Sequence, residues 1–191
     1  MPAALTTREE IVDRLFTVFR DLGFDGASMA DLSRATGLGK SSLYHYFPDG
    51  KIQMAEAVLD RATAVIDTEI LGMARAPGSL KTRIQKIIAV LNHRYAGGRT
   101  LCVLGQLASS QLGPDGRQGL RMAFGHWIEA IAILAHESGM PPARAKNFAE
   151  DWVAGLQGAL ILQAATADAG AFVRSMDALM ALTKKSARGS V

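Results

Sequence analysis

The sequence predicts an all-α protein with about nine helices, in which three short N-terminal helices precede a larger helical domain. Apolar residues recur every three or four residues along most of the chain, the spacing of a helix that buries one face. Glycine and proline interrupt this pattern, and no segment alternates apolar and polar residues as a half-buried strand does. We therefore expect helix packing throughout and no sheet.

The composition is that of a folded chain without a membrane segment. Of the 191 residues, 49% are apolar, which is enough for a sizeable core. No apolar run has the length needed to cross a bilayer, and the N-terminal "MPAALTTREE" lacks the regions of a secretory signal. Cys102 is the single cysteine, so no internal disulfide can form. We expect a cytoplasmic protein that does not associate with membranes.

The overall charge does not by itself indicate a nucleic-acid partner. The formal net charge is +3, and residues 1–50 carry five basic and seven acidic side chains. Within residues 1–51, the segment 34–51 is locally basic, with three basic side chains against one acidic side chain. Any contact with DNA would have to come from this segment.

The first three predicted helices are short and follow one another closely. "TREE" at residues 7–10 is a capping box that begins the first helix, and Gly23 ends it. Ser28 with Asp31 begins the second helix. A turn with two glycines leads to the third helix, Lys40–Phe47, which the following proline stops.

Six longer helices are predicted after the third. Caps, glycines and prolines set their limits, and the last six residues, 186–191, should fray. The expected ranges are about 50–74, 80–95, 100–111, 120–138, 143–167 and 170–185. The histidines show no metal-ligand spacing, and neither an HExxH nor a CxxC motif occurs. We find no defensible acid–base pair, so we expect no metal, no cofactor and no enzymatic activity.

The three short helices have the layout of a helix-turn-helix unit that binds DNA. Small residues at Ala30, Ala35 and Gly37 would let the second and third helices approach closely, over a core of leucines. Five polar side chains of the third helix are then free to point outward: Lys40, Ser41, Ser42, Tyr44 and His45. Hydroxyl, phenol and ammonium groups suit phosphate oxygens and base edges. An ordinary solvated helix face is the alternative.

Residues 26–59, "GASMADLSRATGLGKSSLYHYFPDGKIQMAEAVL", resemble the N-terminal domain of the TetR (tetracycline repressor) family. The most specific part is "LYHYF" before a proline, followed by a lysine that opens a long helix. The resemblance is strong over about residues 7–60, and beyond them it rests on the number and order of helices. "FPDGK" has a longer spacing between proline and lysine than many members, and is similar to a subgroup that includes drug- and flavonoid-responsive repressors.

The resemblance implies DNA contacts by seven residues, namely Ser28, Lys40, Ser41, Ser42, Tyr44, His45 and Lys51. Ser28 and Lys51 would contact phosphates, and the residues that open the third helix would face bases and phosphates. Tyr44 and His45 match an aromatic pair that grips the DNA backbone beside the groove. Gly39 departs from the family, whose members usually cap this helix with Ser or Thr.

The resemblance also implies two domains, with residues 1–50 binding DNA and residues 51–185 binding a ligand and forming a dimer. The eighth and ninth helices would form the dimer interface, because "WVAGLQGALIL" combines large apolar residues with small ones that permit close helix approach. Packing of the same stripe within one subunit is the alternative. A symmetric dimer would place two recognition helices about 34–36 Å apart on a palindromic operator.

The ligand pocket should lie among the fifth to eighth helices. Its candidate lining residues are Tyr95, Cys102, Leu104, Leu107, Phe124, Trp127, Trp152 and Gln157. Ordinary core packing is the alternative for each of them. His93 and His126 could also anchor a ligand, although a core or surface histidine explains each equally simply. Cys102 lies near Arg94 and Arg99 in sequence, so it is either a reactive thiol or a small buried apolar residue.

The functional expectation is a homodimeric transcriptional repressor, located at the bacterial nucleoid, that a small-molecule inducer releases from double-stranded DNA. A repressor that senses oxidants or electrophiles through Cys102 is the alternative within the same fold. A helical small-molecule binding protein without a role at DNA is the alternative outside it.

Overall fold

The computed structural model describes residues 7–186, which fold into nine helices and, over that range, no strand. The predicted all-α fold is therefore confirmed. The helices are α1 (Arg8–Gly26), α2 (Met29–Thr36), α3 (Lys40–Tyr46), α4 (Lys51–Ile66, continued by a π-helical segment Asp67–Leu71 and a last turn Gly72–Arg75), α5 (Leu80–Arg94), α6 (Val103–Ala108), α7 (Pro114–Glu137), α8 (Pro142–Thr166) and α9 (Gly170–Ser186). None of these helices combines the length and the apolar character that crossing a bilayer requires.

Two helices differ from the ranges expected from the sequence. Helix α6 covers 103–108 and is shorter than the expected 100–111. Helix α7 begins at Pro114, six residues before the expected start, because proline is well suited to the first turn of a helix. Gly116 and Gly119 lie inside α7, where a Cβ atom on Gly116 would come within 2.9 Å of the Leu112 side chain. These glycines serve close packing and do not form a turn. Residues 187–191 of the expected frayed tail lie outside the described residues.

The chain forms two compact units. The first unit comprises the chain up to Ala64 together with Val103–Ala123, and the second comprises Val65–Cys102 together with the chain from Phe124 onward. Helices α4 and α7 each contribute to both units. The functional division at residue 50 is a different division, and it stays a prediction.

The first unit is built on the apolar face of α1. Ile11, Leu15 and Phe19 are fully buried there, and Gln106 of α6 donates a hydrogen bond to the Arg20 carbonyl at 3.2 Å. Gly23 has a φ of 68°, so α1 kinks where the sequence predicted its end. Helix α6 thus packs against α1 in this unit.

The second unit fixes the π-helical segment of α4 by one ion pair and one contact between a carboxylate and an imidazole. Glu69 accepts a hydrogen bond from Arg94 of α5 at 2.9 Å, and the carboxylate of Asp67 lies 2.5 Å from Nδ1 of His126 on α7. Arg83 is buried on α5 and donates to the Ala74 carbonyl and to Glu137. The Glu137 carboxylate raises the pKa of Arg83 above its ordinary value. These pairs hold the end of α4 against α5 and α7.

Candidate DNA-binding surface and effector site

The turn between α2 and α3 is held by hydrogen bonds that the local sequence supplies. Ser28 and Asp31 form the predicted capping box at the start of α2. Gly37 ends α2 in the left-handed conformation, with a φ of 72°. Arg14 of α1 donates to the carbonyl of Thr36 at 2.7 Å and satisfies the end of the same helix. The turn therefore has a defined geometry and sets the position of α3.

Helix α3 exposes the polar residues that the sequence singled out. Leu43 is its only buried residue, and Phe47 is buried just after its end. The five side chains predicted to face DNA are all exposed: Lys40, Ser41, Ser42, Tyr44 and His45. Gly39 has an extended conformation at the N-cap, and no side chain caps the helix. Among the described residues, no hydrogen bond or ion pair engages the side chain of Lys40, Ser41 or Ser42.

Ser28 and Lys51 already have partners inside the first unit. The Ser28 hydroxyl donates to the Asp31 carboxylate at 2.5 Å, and this bond lowers the pKa of Asp31. The Lys51 ammonium donates to the Ala27 carbonyl at 2.7 Å and lies 4.5 Å from the centre of the Phe24 ring. A DNA phosphate could accept a hydrogen bond from the other N–H groups of the Lys51 ammonium. At Ser28 it would have to compete with the Asp31 carboxylate for the hydroxyl proton. Both phosphate contacts stay predictions.

Gly50 is a site residue that sequence reasoning missed. It is buried with a φ of 67°, and a Cβ atom there would lie 3.2 Å from the Tyr44 ring. The glycine therefore lets the ring of Tyr44 lie across the turn before α4, which fixes the orientation of its phenol. The signal in the sequence is the pair Asp49–Gly50 directly after a proline, which is typical of a tight turn.

In the second unit, three of the eight predicted pocket residues come together. The rings of Tyr95 and Trp127 are parallel, with centroids 6.4 Å apart, and the Tyr95 hydroxyl donates to Sγ of Cys102 at 3.4 Å. Phe172 of α9, which sequence reasoning missed, packs edge-on against Tyr95. Desolvation in this aromatic cluster, with a smaller effect of Cys102, raises the pKa of Tyr95 well above its ordinary value.

Three buried side-chain donors of the second unit have no hydrogen-bond acceptor among the described residues. These are Nε of Arg83, Nε1 of Trp127, whose side chain is almost fully buried, and Nε2 of Gln157. A buried donor without an acceptor destabilises the fold by about 1–3 kcal/mol. Such groups are therefore candidates for contact with a bound molecule that presents an acceptor.

The other predicted pocket residues lie elsewhere. Leu104 and Leu107 are buried on α6 in the first unit. Trp152 donates from Nε1 to the Ser175 carbonyl at 2.7 Å, which joins α8 to α9. Among the described residues, no hydrogen bond or ring contact joins Phe124 or Gln157 to the Tyr95 cluster. The assignment of these five residues to a ligand pocket stays a prediction.

The histidines and Cys102 lie in ordinary surroundings. His93 is exposed, and His126 pairs with Asp67 as described above. Cys102 is buried, and its sulfur accepts the hydrogen bond from Tyr95. Over residues 7–186, no group of three or more potential ligands is arranged to hold a metal ion.

Comparison with known proteins places this arrangement in a family. Residues 11–58 match the family described as "Bacterial regulatory proteins, tetR family". The chain is 23% identical over 161 residues to the HTH-type transcriptional regulator LmrA of Bacillus subtilis (strain 168). The aligned region covers 82% of this chain and 85% of LmrA. It is 28% identical over 133 residues to the A-factor receptor protein of Streptomyces griseus, which covers 69% of this chain and 44% of the receptor.

The fold is also similar to that of solved regulators. A TetR transcriptional regulator from Legionella pneumophila superimposes with a TM-score of 0.81 at 19% identity, covering 92% of this chain and 97% of that chain. The matched segment 11–58 contains the α2–α3 turn and every residue predicted to contact DNA. Residues 11–58 are therefore a DNA-binding domain of the tetR family of regulatory proteins, which is not a family of enzymes, and the rest of the chain has the fold of solved regulators.

Proposed function

We propose that this regulator is a homodimeric repressor that binds a palindromic operator through α3 and leaves it when a small molecule binds the second unit. The observation that carries the proposal is the exposed surface of α3. Seven residues are too few for a stable isolated helix, so α3 exists because Leu43 packs into the first unit. Its outward hydroxyl, phenol and ammonium groups suit a DNA groove.

A dimer is supported by the outer face of α8 and α9. Ile161 and Leu162 of α8 and Val173 of α9 are each more than half exposed, which leaves large aliphatic side chains in contact with solvent on both helices. Burial of this face between two copies would produce a four-helix arrangement. Two copies of α3 would then read the two halves of a palindrome, which gives more affinity than one short helix can.

An effector site is supported by the aromatic cluster around Tyr95 and by the unpartnered donor of Trp127 within it. The matching effector is an apolar molecule that carries a hydrogen-bond acceptor. The surroundings that raise the pKa of Tyr95 also disfavour an anion, so a neutral acceptor fits better than a carboxylate. Assignment to the drug- and flavonoid-responsive subgroup rests on the "FPDGK" spacing and is part of the proposal.

Release from DNA requires that the effector bind the DNA-incompetent state of the protein more tightly than the state that binds DNA. A hundredfold loss of operator affinity corresponds to about 2.7 kcal/mol of coupling between the two sites. Helix α4 begins at Lys51 and continues into the second unit. A shift of this helix would therefore transmit effector binding to the DNA-binding residues. Such a repressor works in the cytoplasm at the nucleoid.

The test is a selection of operator sites from a random duplex DNA library, followed by footprinting on the chromosomal site that matches. The expected result is a two-fold symmetric sequence whose half-sites are about 10 bp, or a multiple of that spacing, apart. A site without symmetry would remove the homodimer from the proposal. Enrichment of no sequence over the starting library would contradict operator binding. A redox role for Cys102 and a carrier role are favoured by no specific observation.

A further inference from the structure

Helix α4 carries a π-helical turn at Asp67–Leu71, two residues after the second unit begins at Val65. The N–H of Gly72 donates to the Asp67 carbonyl, which lies five residues back in the chain, whereas an α-helix joins residues four apart. A Cβ atom on Gly72 would lie 3.0 Å from that carbonyl oxygen, which is closer than such atoms ordinarily approach. Gly72 is exposed, so the π-turn is the feature that its missing side chain serves.

The buried face of α4 explains why one turn of the helix holds an extra residue. Buried residues recur every four residues along it: Met54, Val58, Ala62, Ile66, Ile70 and Ala74. In a regular α-helix each step of four residues rotates about 40° beyond a full turn, so this face would move about 200° around the helix. A turn with one more residue moves it back by about 100°. The π-turn is therefore matched to the burial of Ile70 and Ala74.

Two side chains of the π-turn contact neighbouring helices of the second unit. Glu69 accepts a hydrogen bond from Nε of Arg94 on α5 at 2.9 Å, and the Asp67 carboxylate lies 2.5 Å from Nδ1 of His126 on α7. These four side chains are between 35% and 42% exposed. Water can replace either partner of such a contact, so its contribution to stability is small. Both contacts can therefore open and close while the unit stays folded.

The partners of the π-turn are next to the aromatic cluster in the chain. Arg94 directly precedes Tyr95, and His126 directly precedes Trp127. Tyr95 and Trp127 supply the two parallel rings of the cluster. Neighbouring residues share a planar peptide unit, so a displacement of the backbone at either ring also displaces the residue before it. A molecule that moves the two rings apart would therefore change both contacts of the π-turn.

The last turn of α4 is held more firmly than the π-turn. The Arg83 side chain is only 8% exposed and donates to the Ala74 carbonyl and to Glu137. A buried group of this kind cannot readily exchange its protein partners for water. Helices bend where their regular hydrogen bonding is interrupted. A bend of α4 is therefore expected at the π-turn and not at its last turn.

We propose that the contacts Asp67–His126 and Glu69–Arg94 transmit effector binding at the Tyr95–Trp127 rings to α4, which bends at the π-turn when these contacts change. The proposal rests on the effector site of the proposed function and names the residues that couple this site to DNA binding. Coupling between two binding sites is reciprocal, because each site changes the affinity of the other by the same factor. Operator binding should therefore change the surroundings of Trp127.

The test is fluorine NMR of the full chain labelled with 5-fluorotryptophan, with and without a saturating amount of the duplex obtained by operator selection. The chain contains two tryptophans, and Trp152→Phe identifies the signal of Trp127. This signal should shift when the selected duplex binds the wild type, and a scrambled duplex should leave it in place. The double variant Asp67→Ala/Glu69→Ala should still bind the selected duplex but lose most of the shift.

Glu129→Ala is the matched control for the double variant. It removes the contact between Glu129 and Arg75, another exposed pair that joins α4 to α7 but lies outside the π-turn. The shift of the Trp127 signal should stay at its wild-type value. If this variant also lost the shift, contacts between the two helices in general would carry the coupling, and the specific role of the π-turn would be overturned.

A pair of glycine substitutions tests the π-turn itself. Gly72 and Gly125 are both exposed inside long helices, and a Cβ atom on Gly125 would meet no described atom within 4 Å. Gly125→Ala should raise the melting temperature by about 2–4 °C, because alanine favours the helix. Gly72→Ala should give no such rise, because the added methyl group meets the Asp67 carbonyl. An equal rise for both variants would contradict the π-turn.

Failure of the coupling contacts can be distinguished from failure of the proposed function. An equal shift of the Trp127 signal in the wild type and the double variant would overturn the contacts alone. A wild-type protein that binds the selected duplex without any shift would overturn the aromatic cluster as effector site, and the contacts with it. A protein that enriches no duplex would overturn operator binding and the coupling that depends on it.

Discussion

At the scale of single residues, two glycines of the helix-turn-helix have opposite requirements. Gly37 has a φ of 72°, which L-residues adopt at a cost, whereas Gly39 has a φ of −67° with open space around its Cβ position. A Ser or Thr side chain, which the family prefers at this N-cap, would therefore fit at position 39 without a clash. At position 37 the left-handed backbone conformation requires glycine.

We predict that Gly39→Ser stabilises the protein by about 0.5–1 kcal/mol, because serine caps α3 and restricts the unfolded chain. Gly37→Ser, the matched control two residues away, should destabilise it by about 1–2 kcal/mol. Urea unfolding of the two variants measures both effects. Equal shifts of the same sign would show that backbone conformation does not separate the two positions.

Lys51 shows how far a site residue can be predicted from sequence. Its position after the turn and its charge were evident from the sequence. Its bond to the Ala27 carbonyl was not, because that contact joins residues that are distant in the chain. Local signals such as the capping box at Ser28 could be predicted, since all their atoms belong to neighbouring residues.

We predict that Lys51→Met lowers the free energy of unfolding by about 1–2 kcal/mol, because it removes a charge-assisted hydrogen bond and the contact with Phe24. It should also weaken DNA binding. Lys40→Met is the control, since Lys40 is exposed: its stability should stay within about 0.5 kcal/mol of the wild type while DNA binding weakens. Thermal unfolding and operator titration separate the two roles. An unchanged melting temperature for Lys51→Met would contradict the structural role.

At the scale of helices, the number and order of the helices could be predicted from the sequence, whereas irregularities within single helices could not. The π-helical segment 67–71 escaped prediction because one extra residue in a turn leaves the apolar spacing on either side intact. Helix α6 was predicted too long, because residues 100–102 and 109–111 on either side of it form turns and irregular structure that no glycine or proline within them indicates. Gly116 and Gly119 fell in the gap between two predicted helices, although they lie in α7 next to Leu112 and Leu59.

The end of α4 depends on Arg83, which links it to α5 and α7. We predict that Arg83→Leu destabilises the protein by about 2–3 kcal/mol, because the Ala74 carbonyl loses a buried donor while Glu137 is partly rehydrated. Arg75→Leu removes an exposed ion pair with Glu129 and should cost less than about 1 kcal/mol. Equal losses for the two variants in chemical unfolding would show that burial of Arg83 does not determine its contribution.

At the scale of the whole molecule, one chain contains a DNA-binding unit and a second unit with an aromatic cluster, and α4 and α7 contribute to both. The DNA-binding segment and the helix order could be predicted from the sequence, because the motif in residues 26–59 is local and specific. The pocket could not, because its lining depends on which distant helices meet. Leu104 and Leu107 illustrate this, since they share the apolar pattern of their neighbours but lie in the first unit.

We expect the exposed residues of α3 to contact the bases and phosphates of DNA. The most direct test is fluorescence anisotropy of the purified protein with DNA from upstream of its own gene, against scrambled DNA, over a series of salt concentrations. We predict tight, salt-dependent binding to the upstream fragment, and about tenfold or greater weakening for Lys40→Ala. Absence of binding even at low salt, or equal affinity for the Lys40→Ala variant, would contradict the claim.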